Sequence, residues 1–508
     1  MSKYIMVIDE GTTGTRALIF DQRFRIRSQA YEEFTQYTPS EDKVEHDAME
    51  IYDKTIKMCK QAIRDAQIKP EEILSIGITN QRATAIVWDK NTGEPLHNAI
   101  VWQDNRTSKR CEELNNSEWA TKCKSKTGWT IAPVYSSLML EWLINNIDEI
   151  KQKVESKDAL FGTIDTWLMW KLTGGKTHAI SYSNASVTGS LDLEKREWYT
   201  EFLDYLKVPV SIYPEIRDDS GDFGKTYKEL FGCEIQIASS IADQHAALFG
   251  QGCTKEGMAK ITNGTGSFLD VNIGDRCVVS EEGINTVIAW KIGDKINYAL
   301  EGYASVTGSA VQWLVEELEI INKASEVETL AREVEDSNGV YFVPALAGLG
   351  APYWDPFARG TILGITRGVN KRHICRATLE GIAYSIKDII SLIEEESGCK
   401  INEVKIDGGA SKNNLLGQLF ADYLNCDIYR PFSVEATSLG AAQMAGLYSG
   451  FWSEKDFENA IEYDTSFKNE IDDEKREELY YKWKEAIKRS ENWANISKDN
   501  KELALETE

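Results

Sequence analysis

The chain has 508 residues, long for a single hydrophobic core, so two large domains are expected. Apolar residues make up 42% and charged residues 27%, a globular mix that excludes a disordered or fibrous chain. Lys and Arg number 57 against 81 Asp and Glu, a net charge of −24 that excludes nonspecific nucleic-acid binding and attraction to an anionic membrane, while a small anionic ligand needs only local positive potential. Nine cysteines stand singly, with no CxxC pair, which points to reduced thiols and a cytoplasmic protein. The N-terminus enters a strand pattern without a signal peptide, and no apolar run is long enough to insert in a bilayer.

In chain order, residues 4–9, 15–20 and 25–31 read as strands of a meander, and 47–67 as a helix. Residues 73–80 and 83–89 are strands again, with NTGE (91–94) as a turn. Helical patterns follow at 137–149 and 164–172. IQIASSIADQHAALFG (235–250) runs from a strand into a small-residue helix. MAKITNGTGSFLDVNI (258–273) then repeats the strand, Gly-Thr turn, strand layout of residues 5–20. Further helices are expected near 309–321, 371–395, 413–424 and 435–450, and the last residues, 494–508, form a polar tail. The repeat, not a linker, divides the chain into 1–249 and 250–508, two similar α/β domains facing one cleft.

Residues 5–20 hold no GxxxxGK[ST] motif, and a strand rather than a helix follows the turn, so a Walker loop is excluded. The alternative is a β-hairpin whose turn, Gly11 to Thr15, wraps a phosphate with consecutive amides. Asp9 beside that nest would repel phosphate unless Mg²⁺ sat between them, and Arg16 would add charge to a transferring group. A plain Gly/Thr-rich turn uses the same residues. NGTG (263–266) supplies a matching turn in the second half, and Asp-Gly-Gly-Ala (407–410) leaves a surface free of side chains for a flat base or ribose.

DEGTTGTR (9–16), TNQRAT (79–84), NAIVWQDNRT (98–107), GTIDTWLMWKLTGG (162–175), ADQHAALFG (242–250), KEGMAKITNGTG (255–266), NYALEG (297–302), GLGAPYWDPFARG (348–360) and DGGASKNN (407–414) together resemble the glycerol kinase branch of the FGGY carbohydrate kinases. The resemblance covers nearly the whole chain in order. It implies an α/β fold of two duplicated ribonuclease-H-like, actin-like domains with a cleft between them. It also implies ATP with Mg²⁺, and a small polyol phosphorylated on a terminal hydroxyl; a homo-oligomer is compatible with it.

Carried over by position, Asp9 resembles the magnesium-side carboxylate, with Thr12, Thr13, Gly14 and Arg16 around the phosphates. Thr265 and Gly266 resemble the second phosphate loop. Gly308, Val311 and Gln312 fall where the family contacts nucleotide, and Gly409, Ala410 and Asn413 where it holds adenosine. Arg82, Trp102, Asp243, Gln244 and Phe268 match the substrate residues, with Asp243 as general base; a helix N-cap is the bland alternative for Asp243. His245 beside it reads as a packing residue. The chain also departs from the branch. Ala83 stands where a Glu usually follows the substrate arginine, and Val134 stands at a usual Tyr, with Tyr135 one step on. ADQH replaces GDQQ, and KELFGCEIQIASS (228–240) lacks the Gly/Arg-rich loop that binds fructose 1,6-bisphosphate in some bacterial relatives. A larger pocket for a four- or five-carbon polyol such as erythritol, threitol or a pentitol is the alternative these departures raise. A non-metabolic actin-like or Hsp70-like ATPase is the alternative from another class.

Overall fold

The computed structural model describes residues 3–432 and 435–495; most of the expected polar tail lies outside them. In the first half, β1 (Tyr4–Glu10), β2 (Gly14–Phe20) and β3 (Ile26–Glu33) form the expected meander. α1 (Ala48–Asp65) crosses to β4 (Ile73–Asn80), and β5 (Gln236–Ala242) leads directly into α2 (Asp243–Gly250). The sheet order is β5-β4-β1-β2-β3.

The second half repeats it. β6 (Met258–Asn263) and β7 (Ser267–Asn272) form the second Gly-Thr hairpin. β8 (Asn285–Ile292) and β9 (Lys295–Ala304) follow, and then α3 (Gly308–Glu316) and α4 (Lys371–Ser397). β10 (Glu403–Asp407), α5 (Asn414–Leu424), β11 (Asp427–Pro431), α6 (Ala436–Tyr448) and β12 (Tyr463–Phe467) complete it. The order is β8-β9-β7-β6-β10-β11-β12. β9-β7-β6-β10-β11 has the same pairing senses as β3-β2-β1-β4-β5: two antiparallel neighbours, then two parallel ones. This is the duplicated α/β architecture that the repeat of residues 5–20 implies.

Both faces of the first sheet are buried, as β1 and β2 require by being apolar at nearly every position. Met6, Ile8, Ala17 and Ile19 pack on α1, while Ile5, Val7, Leu18 and Phe20 share a core with Ala441, Ala442 and Met444 of α6. A helix from the second half of the sequence thus covers the first sheet. α6 also meets α2 backbone to backbone: a Cβ on Gly440 would lie 1.9 Å from the Ala246 carbonyl, and one on Gly250 would lie 2.0 Å from that of Ala436.

Three expected elements differ. The helix at 137–149 is two, Ser136–Asn146 and Asp148–Glu155, separated by an extended Ile147. Asp148 and Glu149 favour a new helix N-terminus over a continued helix. α3 stops at Glu316, short of 321, where Glu316, Glu317 and Glu319 crowd the negative end of its dipole. The strand expected at 83–89 begins only at Ile86, because Arg82–Thr84 is a tight turn with Ala83 at φ 63°.

Candidate active site

The first turn carries Asp9 and Arg16 opposite each other in register, with Arg16 Nη2 2.6 Å from Asp9 Oδ2. α6 reaches in beside them. Ser438 Oγ donates to the same Oδ2 at 2.8 Å, and Glu435 Oε2 accepts from Arg16 Nη1 at 2.7 Å. Both of these contacts to Asp9 fall on Oδ2. Thr12 and Thr13 sit at the turn tip, and Gly14 is buried, with room for no Cβ: one would lie 2.7 Å from the Glu32 carbonyl. Glu10, unremarked in the sequence, points to the opposite face, where Thr15 and Thr55 hydroxyls donate to Oε1 at 2.6 and 2.7 Å. Burial pushes its carboxyl up to about 7, against those two hydrogen bonds and with Asp9 adding to the rise.

At the second turn, Gly264 N–H donates to the Gly266 carbonyl at 2.8 Å. The amides of Gly308 and Ser309, which open α3, donate to Gly264 and Thr265 carbonyls at 3.0 and 3.1 Å. A Cβ on Gly308 would approach the Gly264 oxygen to 2.5 Å, so glycine is what lets the helix sit on the turn. A cavity of about 740 Å³ opens there, lined by Thr265, Gly308, Val311 and Gln312 on one side and Gly409, Ala410 and Asn413 on the other. Its back is apolar, from Val327, Leu379, Ile382 and Leu416. The volume and lining suit a cofactor-sized ligand. Gly266 lies just below, against the Ala304 carbonyl. Gly409 faces open space, whereas Asn413 is committed locally: its Oδ1 accepts from Leu416 N–H at 3.0 Å, capping α5.

Among the residues expected to meet a polyol, Trp102 is 39% exposed and its Nε1 donates to Thr12 Oγ1 at 3.1 Å, tying the ring to the first turn. Phe268 of β7 pairs with Tyr303 of β9, ring centroids 4.6 Å apart, and both are well exposed. Asp243 is the first residue of α2. Its Oδ1 accepts from the next amide, that of Gln244, at 2.7 Å, and the N-cap itself is Ala242, which has no side-chain cap. Burial raises the Asp243 carboxyl above the ordinary carboxylate range, with Arg82 pulling the other way. Arg82 Nε lies 3.6 Å from Asp243 Oδ1, and Arg82 Nη1 bonds Glu301 of β9. Gln244 Oε1 accepts from Lys260 Nζ at 2.7 Å.

Four positions that the sequence singles out sit elsewhere. Tyr135 is fully buried under Gly189, its hydroxyl donating to the Trp129 carbonyl at 2.7 Å, so it does not stand in for a polar group at Val134. Val134 itself packs against the same core. Ala83 is wholly buried, and its carbonyl accepts from Ser136 Oγ at 2.7 Å. His245 packs inside the protein as expected, with neither ring nitrogen hydrogen-bonded, and burial pushes its pKa down to about 3. The residues missed were Lys260, Asp270 and Glu301. The alternation of β6, β7 and β9 was their only signal, since it puts them with Phe268 and Tyr303 on one face. Among the described residues there is no cluster of three metal-ligating side chains and no helix long and apolar enough to cross a membrane.

A duplicated α/β fold with a nucleotide-sized cavity, two Gly-Thr turns and an acid–arginine pair defines a phosphotransferase of the actin-like ATPase class. The family models agree: the N-terminal domain of the FGGY family of carbohydrate kinases matches residues 4–250 and the C-terminal domain residues 259–448. The chain belongs to that family. It is 48% identical to a glycerol kinase of Caldanaerobacter subterraneus subsp. tengcongensis, over 97% of this chain and 100% of the relative. It is 46% identical to glycerol kinase 2 of Thermotoga maritima, over 97% and 99%. The crystal structure of Plasmodium falciparum glycerol kinase with ADP superimposes with a TM-score of 0.91 at 34% identity, covering 96% of this chain and 98% of that one. A gluconate kinase from Lactobacillus acidophilus, at 23% identity and a TM-score of 0.83, shares the fold.

Proposed function

We propose that this carbohydrate kinase transfers the γ-phosphoryl group of ATP to a terminal hydroxyl of glycerol, giving glycerol 3-phosphate. The observation that carries the reading is the cavity at the second turn, which gathers Thr265, Gly308, Val311, Gln312, Gly409, Ala410 and Asn413 in one wall set. The similarity to glycerol kinases over nearly the full length supports glycerol as the polyol. Adenosine would lie against Gly409 and Ala410, with the phosphates running toward the two turns. Thr12, Thr13, Gly14, Thr265 and Gly266 would hold them through amides and hydroxyls. Arg16 would leave Glu435 to meet the charge that builds up on the transferring group. Asp9 would hold Mg²⁺ jointly with the phosphates; a single carboxylate suits that ion, which is usually bound by one or two carboxylates plus substrate oxygens. When bound, Mg²⁺ supplies charge neutralisation between phosphate oxygens.

Trp102 and Phe268 would pack on the carbon chain of the polyol, and Arg82 and Gln244 would hold its hydroxyls. Asp243 would accept the proton of the attacking hydroxyl as its oxygen bonds to the γ-phosphorus and the bond to ADP breaks. A polyol-panel kinase assay on the purified protein tests the reading. Glycerol should give the highest kcat/KM, and ATP turnover should depend on added polyol. Turnover without polyol, or a clear preference for erythritol, threitol or xylitol, refutes it.

A further inference from the structure

Lys260, Asp270 and Glu301 stand side by side on three adjacent strands, Lys260 opposite Asp270 and Asp270 opposite Glu301. All three are buried, on the face of the second sheet that looks into the cleft. Two carboxylates directly opposite each other repel, and in this ladder a cation stands at each end. Lys260 closes one end, 2.7 Å from Asp270 Oδ2. The other end is closed by Arg82, a residue of the first half, through Nη1 on Glu301. Both ends then reach the start of α2. Lys260 also holds Gln244, and Arg82 stands 3.6 Å from Asp243, farther than a tight ion pair.

Arg82 therefore lies between two carboxylates and is bound to the nearer one, Glu301, with Asp243 at 3.6 Å. Its guanidinium carbon is also 6.0 Å from the Trp129 ring centre, on the side of the first half. Without Glu301, the second sheet would draw the fork only through Asp270, which is already paired with Lys260. The fork would swing onto Asp243, a bidentate partner within reach, and an arginine paired there depresses the basicity of a carboxylate. From the elements packed around them, Arg82, Asp9 and Lys260 face Asp243, Arg82, Asp270 and Lys260 face Glu301, and His245 lies behind, facing Arg82, Asp270 and Lys260. Among them Arg82 is the only cation whose position Glu301 decides.

We propose that Glu301 is a positioning residue of the polyol site, a carboxylate supplied by the second half that holds Arg82 away from Asp243 and so keeps Asp243 competent as a base. The inference rests on the kinase reading given above.

The test is the pH profile of kcat/KM for glycerol in Glu301→Gln and Glu301→Asp, using the full chain. In the wild type, the acid limb follows protonation of the Asp243 and Glu301 carboxyls, both shifted upward. In Glu301→Gln, Arg82 pairs with Asp243. The limb should move to lower pH by about one unit or more, and the plateau should fall by about ten-fold or more because the base is weaker. Glu301→Asp keeps the charge, so its limb should lie close to that of the wild type, on a lowered plateau. The midpoint shift on adding ADP should be unchanged in both, because nucleotide binds at the other end of the cleft. If Glu301→Gln does not fold, Asp270→Asn serves as the second variant. It removes the repulsion behind Glu301, so Glu301 ionises at lower pH and the acid limb should again move down, whatever the height of the plateau. A merely structural role would lower stability and leave every limb in place, and that result overturns the proposal. A wild type without polyol-dependent turnover overturns the kinase reading instead, so the two failures are distinct.

Discussion

Asp243→Asn isolates the proposed base with the least disturbance. Asn is isosteric and keeps an oxygen that can accept the Gln244 amide, bonded at 2.7 Å in the native chain. Because the N-cap position belongs to Ala242, no capping bond to a later amide is lost. What disappears is a negative charge at a helix N-terminus, about 0.3–1 kcal/mol of favourable dipole interaction, and a 3.6 Å attraction to Arg82. Against this, burial already disfavours the charged form of Asp243, so neutralising it recovers part of the loss. Stability should therefore change by no more than about 1 kcal/mol. Catalysis should change far more. A general base is worth about 10²–10⁴ in rate, roughly 2.7–5.5 kcal/mol of barrier. The assay is coupled ADP release with glycerol at saturating ATP, alongside the thermal shift caused by ADP. The expected result is kcat down by that factor with the ADP shift intact. Near-native turnover would show that Asp243 serves only the start of α2, and the assignment would fall.

Ala83→Glu should bring no gain in kcat/KM for glycerol, because Arg82 already has a carboxylate partner and a buried glutamate at positive φ is strained; a gain for glycerol with a loss for xylitol would instead favour a pocket built for longer polyols. Glu10 has its carboxyl raised from 4.5 to about 7, so its contribution to stability is fully present below about pH 4.5 and is lost by about pH 7 as the buried group is forced to ionise, a difference of roughly 3 kcal/mol. Glu10→Gln should accordingly gain in melting temperature relative to wild type as pH rises from acid to alkaline, and a constant gap across that range would contradict the assignment. Gly440→Ala puts a methyl 1.9 Å from the Ala246 carbonyl, so α2 and α6 must part, with a cost of about 1–3 kcal/mol or more in urea unfolding; an unchanged midpoint would mean the two helices are not in backbone contact.

Much of the fold is legible in the sequence because its signals are local. A Gly-Thr turn between two apolar runs appears twice, and each time it is the β-hairpin that begins a five-strand pattern. The cavity is legible for the same reason: Thr265 lies in a turn, Gly308 at the helix start that sits on it and Gly409 in the turn after β10, and these segments converge on one cavity. The break at Ile147 and the early end of α3 are harder, because helix continuation depends on charges near the ends more than on apolar spacing.

The proposed polyol side is only half legible, and the missing half is informative. Arg82, Asp243 and Gln244 announce themselves by motif, but what fixes them does not. Glu301 is 219 positions from Arg82, and nothing local in NYALEG says that its carboxylate leaves the sheet to bind an arginine of the other domain. Tyr135 shows the converse error. One residue from the expected phenol, it looks like a substitute, yet a one-residue shift at the start of the Ser136–Asn146 helix turns the ring into the core under Gly189. Side chains that depend on pairing between halves are set by topology, so they become visible only when the two sheets face each other. That dependence has a mechanical consequence. Arg82 and Lys260 join residues of one half to strands or helices of the other, as Ser438 joins Asp9, so the charges that define the site are the same contacts that fix the spacing of the cleft. A change in the separation of the halves would then act on Arg82, Asp243 and Asp9 together, and under the function proposed above it would couple closure of the cleft to the assembly of the base.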